Sequence, residues 1–567
     1  MTPTPTGQNP ILIGIDVGGT FTDAVAVCGV EMITTAKVPT EAGHIDRSLL
    51  AALDRLLADV PVEAIARISL STTLITNLLA QGRVPPVALL LVPGPGRDPT
   101  SYQLAHPSWV IRGATDFRGR EIVPLDPREA KATLGEIHEA GFQHLAVVAK
   151  FSPRNPNHEN QLVSWAKQMG NWQVCAGHTI SGHLNFPRRA AATALTLATQ
   201  TPYRAFFEQL QDAFQARNLD CPTVILKADG GTLPLEQAER APIESIFSGP
   251  AASTMGVLAQ RPEGSTSVVV DVGGTTTDLA LVLDGEPLFS SRGARLEGMY
   301  LPTRAFAVHS LPVGGDSTIV VQDGLPTLAT TRQGIAACLG GPAPTLTDAL
   351  CICEKAQVGD LDKARAALEN IGSAVRLGVD QVAAQVIEQA LARIEDGIAD
   401  MFHTWQREEV YRIWELKQRG IRRPDVIVGV GAAAAPVVPA LAERLNAQAV
   451  IPPYAPVANA LGAAVARTTF TTTLHVDTER RHLEVAEQGV SREWDEGPYT
   501  LADAEDLARE WAGQQAQALG IDPSLEDCEV VLSEQYNVVD GWATVGKIFD
   551  VRLERRCGLI AAWKPGP

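Results

Sequence analysis

The chain has 567 residues, room for roughly three or four domains, and carries 47 basic against 65 acidic residues for a net charge of −18. Its densest basic runs, Arg422-Arg423 and Arg480-Arg481, are short. A surface of this kind repels phosphate backbones and anionic lipid, which argues against nucleic acid as a partner.

No apolar run reaches the ~18 residues that span a bilayer, so no membrane partner is expected. The opening MTPTPTGQNP lacks the layout of a secretion signal and reads as a disordered lead-in over residues 1–10. The cysteines (Cys28, Cys175, Cys221, Cys338, Cys351, Cys353, Cys528, Cys557) are dispersed, without the paired spacing of a zinc or iron–sulfur site. The expectation is a cytoplasmic protein with reduced thiols.

From Ile11 the pattern predicts a meander: a buried strand Ile11–Ile15, a glycine turn, a strand Asp23–Val27 and a third strand Met32–Val38. A helix over Arg47–Leu57, a strand at Ile68–Leu70 and a helix opened by Ser71-Thr72-Thr73 follow. Strand Val87–Val92 ends in the turn-rich PGPGRDP, and helix 127–140 with strand 144–149 completes a first α/β lobe, set at residues 11–200. The alanine-rich stretch 188–217 predicts a helix, and Thr223–Lys227 a strand. SIFSGPAAS reads as strand, glycine turn and helix start. Residues 267–283 repeat the opening meander, 361–418 predict a helical hairpin, and DVIVGVGAAAAPVVPALAERL is a further strand–glycine–helix unit. A second lobe is set at 201–470 and a C-terminal domain at 471–567.

The strongest signal is internal. IDVGGTFTDAVAV and VDVGGTTTDLALV align without a gap, 255 residues apart, placing Asp16 over Asp271. In each copy a buried strand delivers an aspartate at its end. Gly18-Gly19 and Gly273-Gly274 then permit positive φ and let backbone amides approach an anion. Thr20 and Thr22, and Thr275, Thr276 and Thr277, add hydroxyl donors. Carboxylates repel a bare phosphate, so Asp16 and Asp271 make sense as ligands of a partly hydrated Mg²⁺ held between them and the phosphates.

Two such hairpins with a later glycine unit resemble the actin, hexokinase and Hsp70 superfamily, in which two RNase H-like lobes close over ATP. By that resemblance the hairpins clamp the phosphates, and Gly429, Gly431 and the helix from Ala432 take the nucleoside. Close helix–strand packing is the plainer reading of GVGAAAAP. The fold implied is α/β, two RNase H-like lobes around an ATP cleft, with a helical insertion near 361–418 and a small C-terminal α+β domain.

GIDVGGTFTD further resembles the start of the hydantoinase A / 5-oxoprolinase / acetone carboxylase β-subunit family. STTLITN, PGPGRDP, NPNHE, ADGG, FSGPAA, DVGGTTTD, PTLTDA and ANALGAAVA follow in the family's order over residues 11 to 468. The resemblance implies ATP-driven activation of a carbonyl substrate by phosphorylation, opening a cyclic amide, with a hydantoinase B-like subunit in an oligomeric complex. It points to Thr72, Thr73 and Asn77 at the substrate; their residue types alone suit a helix N-terminus equally well. The chain departs from the family pattern at Leu70-Ser71 and at PVGGDS, which leaves the substrate open. A ketone carboxylase subunit, a small-molecule kinase and a reactivating chaperone are the alternatives.

Other polar motifs have plain readings. His178 and His183 suit a surface loop, and His158 with Glu159 suits a cap for the following helix. Asp348 is either a helix-start carboxylate or a cleft group, and Asp229 either a turn residue or a nucleotide contact. Cys351 and Cys353 read as packing residues.

Overall fold

In a computed structural model, residues 10–41, 43–102, 104–260, 266–296, 298–407, 423–494, 500–561 and 563 are described. The expected lead-in at 1–9 and the end of the helical stretch, 408–418, lie outside the described residues.

The first lobe opens with β1 (Ile11–Val17), β2 (Phe21–Cys28), β3 (Glu31–Pro39), α1 (Ile45–Leu57), β4 (Ile65–Thr72) and α2 (Leu74–Ala80). A second small layer follows: β5 (Val87–Val92), β6 (Ser108–Val110), α3 (Pro127–Glu139), β7 (His144–Ala149), α4 (Asn157–Met169) and β8 (Gln173–Ala176). The long helix α5 (Phe186–Gln215) then returns the chain to β9 (Thr223–Leu226) and β10 (Thr232–Pro234). The main sheet has the order β10-β9-β4-β1-β2-β3, antiparallel through β1-β2-β3 and parallel through β1-β4-β9, which is the RNase H arrangement. Because β9 and β10 belong to it, this sheet draws on strands from both sides of residue 200. The inserted sheet, β8-β7-β5-β6, is all parallel.

SIFSGPAAS contains no strand. Pro242–Ser245 is a 3-10 turn, Phe247 takes a left-handed φ of 60°, and helix α6 (Ser248–Gln260) starts at once. An extended segment has no room between the turn and the helix.

The second lobe repeats the first. β11 (Ser267–Val272), β12 (Thr277–Leu283), β13 (Val308–Leu311), β14 (Val426–Val430) and β15 (Gln448–Val450) pair in the order β13-β12-β11-β14-β15. Helices α7 (Leu346–Ile352), α8 (Leu361–Val375) and α9 (Val379–Arg407) pack against Val268, Val270 and Val272 on one face of this sheet. The opposite face, with Val269 and Val428, meets Val257 of α6, Ala455 and Ala458. Helix α10 (Ala434–Leu445) follows β14, and α11 (Ala458–Val465) crosses back to the first lobe.

Alternation along β1 places Ile11, Ile13, Ile15 and Val17 in the core with α1 and α5, while Leu12 faces Ala460, Leu461 and Ala464 of α11. Gly14 and Asp16 share the Leu12 face. By the same period, Asp271 shares the Val269 face in the second lobe. Both aspartates are thereby turned toward the region of α11.

The C-terminal sheet runs β18 (Val490–Glu493), β17 (His482–Val485), β16 (Phe470–Asp477), β20 (Ala543–Arg555), β19 (Cys528–Asp540), backed by α12 (Leu501–Ala518). The chain then leaves this sheet. Leu559, Ile560 and Trp563 pack beside β1, β2 and α11, and Trp563 Nε1 donates to Ala259 O at 3.1 Å. No helix among the described residues is long and apolar enough to cross a membrane.

Candidate active site between two glycine hairpins

The repeat folds as read. Each copy makes a tight turn, closed by Gly18 N to Phe21 O at 3.1 Å and by Gly273 N to Thr276 O at 3.0 Å. Positive φ is not what the glycines supply: none of Gly18, Gly19, Gly273 and Gly274 is among the left-handed residues. They supply closeness. A β-carbon on Gly274 would stand 2.6 Å from Asp316 Oδ2 and 2.7 Å from Thr20 Oγ1, so the two hairpin tips and the PVGGDS turn meet there. Asp316 N and Gly315 N donate to Gly274 O at 2.7 Å and Gly273 O at 2.9 Å, bracing the second hairpin from behind.

At the tips, the amides of Gly19, Thr20, Gly274 and Thr275 have no acceptor among the described residues. Thr20 Oγ1 is buried and likewise unpartnered. Free amides and hydroxyls gathered at a turn form an anion-binding concavity. The hairpins open onto a cleft of about 270 Å³, lined by Asp16, Gly18, Gly19, Thr20, Gly273, Gly274, Thr275 and Thr276 among others.

Asp16 and Asp271 lie at its floor, only 7% and 8% exposed. Burial raises both carboxyls, Asp16 to about 6 and Asp271 to about 7. Cross-strand carboxylates push the same way, since Asp16 sits opposite Asp23 and Asp271 opposite Asp278. Lys37 bonds Asp23 at 2.6 Å, whereas neither Asp16 nor Asp271 has an ion-pair partner among the described residues. Asn459 Nδ2 donates to Asp271 Oδ2 at 3.0 Å.

No cluster of three or more His, Cys, Asp or Glu side chains among the described residues is arranged to hold a metal. A hydrated Mg²⁺ shared with phosphates needs only one or two carboxylates. Asp16 and Asp271, acidic, buried and without a countercation beside free anion donors, fit such an ion.

Of the residues read from sequence, Gly431, Thr73 and Asn77 also line the cleft. Gly431, at φ 87°, is packed so that a β-carbon would fall 2.5 Å from Asp271 Oδ1. Asn77 Nδ2 donates to Thr73 Oγ1 at 3.1 Å. Four others are not in its lining. Thr22 is fully buried with its hydroxyl on Thr40 at 3.0 Å, and its repeat partner Thr277 donates to Val313 O at 2.7 Å. Thr72 is buried; its hydroxyl accepts from Leu74 N at 3.1 Å and its backbone is pinned on Ser248. Gly429 lies within β14, where a β-carbon would meet Ile451 at 2.6 Å and Val438 at 2.7 Å, so it serves close helix–strand packing.

Sequence reasoning missed Asn459, Asp23, Asp278, Lys37 and Thr76, all in the cleft lining. The repeat itself held a signal for two of them: both thirteen-residue copies carry a second aspartate, Asp23 and Asp278, at the same offset.

The remaining motifs are structural. Glu159 caps no helix; it is fully buried and accepts from Ala149 N at 2.8 Å, His178 N at 2.8 Å and His178 Nδ1 at 2.5 Å, tying the ends of β7 and β8 together. His158 pairs with Glu121 at 2.8 Å. Asp348 accepts from Ala337 N, Cys338 N and Thr345 N within the second lobe. Asp229 is a buried turn residue holding Gly231 N at 2.9 Å and Thr469 Oγ1 at 3.0 Å.

Two RNase H-like lobes with paired glycine hairpins on a common cleft define a two-lobed α/β protein with one polar cleft between its repeats. The chain belongs to the hydantoinase/oxoprolinase family: residues 12–170 match its N-terminal region and residues 189–472 its main domain. It is 26% identical to caprolactamase subunit alpha of Pseudomonas jessenii, over 78% of this chain and 68% of that one. It is 24% identical to the acetophenone carboxylase gamma subunit of Aromatoleum aromaticum, over 59% and 52% of the two chains. Yeast (Saccharomyces cerevisiae) 5-oxoprolinase is 24% identical across 42% of this chain, which is 19% of that protein. Two solved structures share the fold over 98% of this chain and 88% of theirs. One is an ATP-dependent acetone carboxylase (TM-score 0.71, 17% identity) and the other the ATP-dependent caprolactamase of P. jessenii (TM-score 0.68, 21% identity).

Proposed function

We propose that this chain is the ATP-binding component of an enzyme that opens a cyclic amide by phosphorylating its carbonyl oxygen, working with a hydantoinase B-like partner subunit. The observation that carries the reading is the convergence of Asp16 and Asp271, equivalent residues of two repeats, on one cleft ringed by free amides. Relatives named as a caprolactamase subunit and a 5-oxoprolinase support a lactam as the substrate class.

The tip amides of Gly19, Thr20, Gly274 and Thr275 and the hydroxyls of Thr20, Thr275 and Thr276 receive the phosphates. Gly431 and Ala432, with Ala455 and Pro456, lie on the side left for the nucleoside. Asp16 and Asp271 would hold Mg²⁺, which neutralises phosphate charge. Thr73, Thr76 and Asn77 face the cleft at the start of α2 and would meet the lactam.

A lactam carbonyl resists water because the nitrogen lone pair is delocalised into it. Transfer of the terminal phosphoryl group breaks its bond to ADP and forms a bond to the carbonyl oxygen, giving an electrophilic phosphorylated imidate. One water then adds at that carbon and the C–N bond opens, leaving the amine and an acyl phosphate; a second water cleaves the acyl phosphate, so that lactam, ATP and two waters become amino acid, ADP and phosphate. The protein's contribution is alignment and charge stabilisation rather than a covalent step.

The test is ADP release by the chain together with its partner subunit across a panel of lactams, hydantoins and ketones. Stimulation by a lactam is the expected outcome. Stimulation by a ketone that requires bicarbonate would replace this reading with a carboxylase, and no stimulation by any compound would reject substrate activation.

A further inference from the structure

Asp16 and Asp271 belong to different lobes, yet line one cleft together with Asn459. Asn459 Nδ2 donates to Asp271 Oδ2 of the second lobe at 3.0 Å, although the helix that carries it, α11, is packed on β1 of the first.

Asn459 is the second residue of α11, and Val457 at the helix start makes no side-chain cap. The Asn459 carboxamide is turned to Asp271 instead.

Its position is set by backbone-to-backbone packing. A β-carbon on Gly14 would fall 2.0 Å from Ala460 O and 2.7 Å from Ala464 N. One on Gly256 would fall 2.0 Å from Ala458 O, and one on Gly462 2.0 Å from Ala252 O. These contacts seat α11 directly on β1 and α6. Gly14 lies two residues before Asp16 on the same face of β1, so the glycine that admits the helix also brings Asn459 to the cleft that Asp16 lines.

We propose that Asn459 is a positioning residue that, from a helix seated on the first lobe, holds Asp271 of the second lobe in the orientation that receives a divalent cation together with nucleotide phosphates. It thereby ties occupation of the cleft to the seating of α11. The inference rests on the nucleotide-binding reading above. Two carboxylates on one cleft repel each other and tend to turn apart. A neutral donor on Asp271 keeps that carboxylate directed inward without occupying the cation's place, as a lysine would.

The test compares wild type, Asn459→Ala and Asn459→Leu by titration calorimetry, with the non-hydrolysable analogue ADPNP plus Mg²⁺ and, separately, with ADP in EDTA. Leucine keeps the volume without the donors, and melting temperatures check folding. Both variants should lose about ten- to hundredfold in Mg²⁺–ADPNP affinity, the worth of a hydrogen bond to a charged group. Metal-free ADP should bind all three proteins alike, since the tip amides are untouched. An equal loss with and without metal would make Asn459 a merely structural residue and overturn the proposal, as would unchanged Mg²⁺–ADPNP binding. Failure of the wild type to bind either nucleotide would instead reject the nucleotide reading itself.

Discussion

Gly431 and Asp271 meet at the floor of the cleft so closely that a methyl group on the glycine would stand 2.5 Å from Asp271 Oδ1 and 2.7 Å from Val272 O. The glycine also holds φ 87°, a left-handed conformation that costs other residues about 1–3 kcal/mol. Gly431→Ala should therefore both strain the loop and turn Asp271 off its axis. The expected result is at least a tenfold loss of Mg²⁺–nucleotide affinity in calorimetry, set by the displaced carboxylate. An alanine variant that binds as wild type would show that this approach does not matter to the site.

The buried aspartates make a prediction about pH. Their folded-state values, about 6 for Asp16 and about 7 for Asp271, lie above the ordinary 3.8, so the folded protein holds these protons more tightly than the unfolded chain. This contribution to stability is present at low pH and is lost as pH rises from 3.8 through about 7. Asp271→Asn should accordingly stabilise the ligand-free protein at neutral pH, by on the order of 2 kcal/mol, while weakening Mg²⁺–nucleotide binding. Melting curves across this pH range, with and without nucleotide, read both signs. A variant less stable than wild type at neutral pH would contradict the argument.

Arg118 joins the first lobe to the C-terminal sheet. Its Nε and Nη2 donate to the two oxygens of Asp477 at 2.8 Å each, with both side chains nearly inaccessible. Glu479 meets the same guanidinium. Asp477→Ala leaves Arg118 with only the more exposed Glu479 and should destabilise the protein by about 1–3 kcal/mol, whereas removing charge and partner together costs less. Denaturant unfolding of the single and double variants checks this, and an equal cost for both would show that the pair is not coupled.

Buried strands were legible because they announce themselves as short apolar runs: Val87–Val92 and His144–Ala149 of the inserted sheet fall where the sequence places them. The repeat exposed the two lobes, since Asp16 and Asp271 occupy equivalent ends of equivalent strands. Direction within the site was less legible. Thr22 and Thr20 look alike in sequence, and only the point where the turn ends separates them: Thr22 lies inside β2 with its hydroxyl on Thr40, while Thr20 stays in the turn at the tip. Gly429 and Gly431 likewise differ only by which neighbour crowds them. Asn459 was invisible for another reason: its role depends on α11 crossing back over β1, a contact between residues hundreds of positions apart.

Glu159 offers a control away from the cleft. Its carboxylate holds three donors at the ends of β7 and β8, so Glu159→Ala should lower the melting temperature by leaving Ala149 N and both His178 donors unpaired. Nucleotide affinity should stay at the wild-type value. A selective loss of nucleotide binding without loss of stability would move NPNHE and GHTISGH from the framework into the site.

The central claim, that the paired hairpins form one phosphate clamp, is tested most directly by a crystal structure with ADPNP and Mg²⁺. Phosphate oxygens should accept from the amides of Gly19, Thr20, Gly274 and Thr275, with the metal near Asp16 and Asp271. Nucleotide density elsewhere, or phosphates touching only one hairpin, would contradict it.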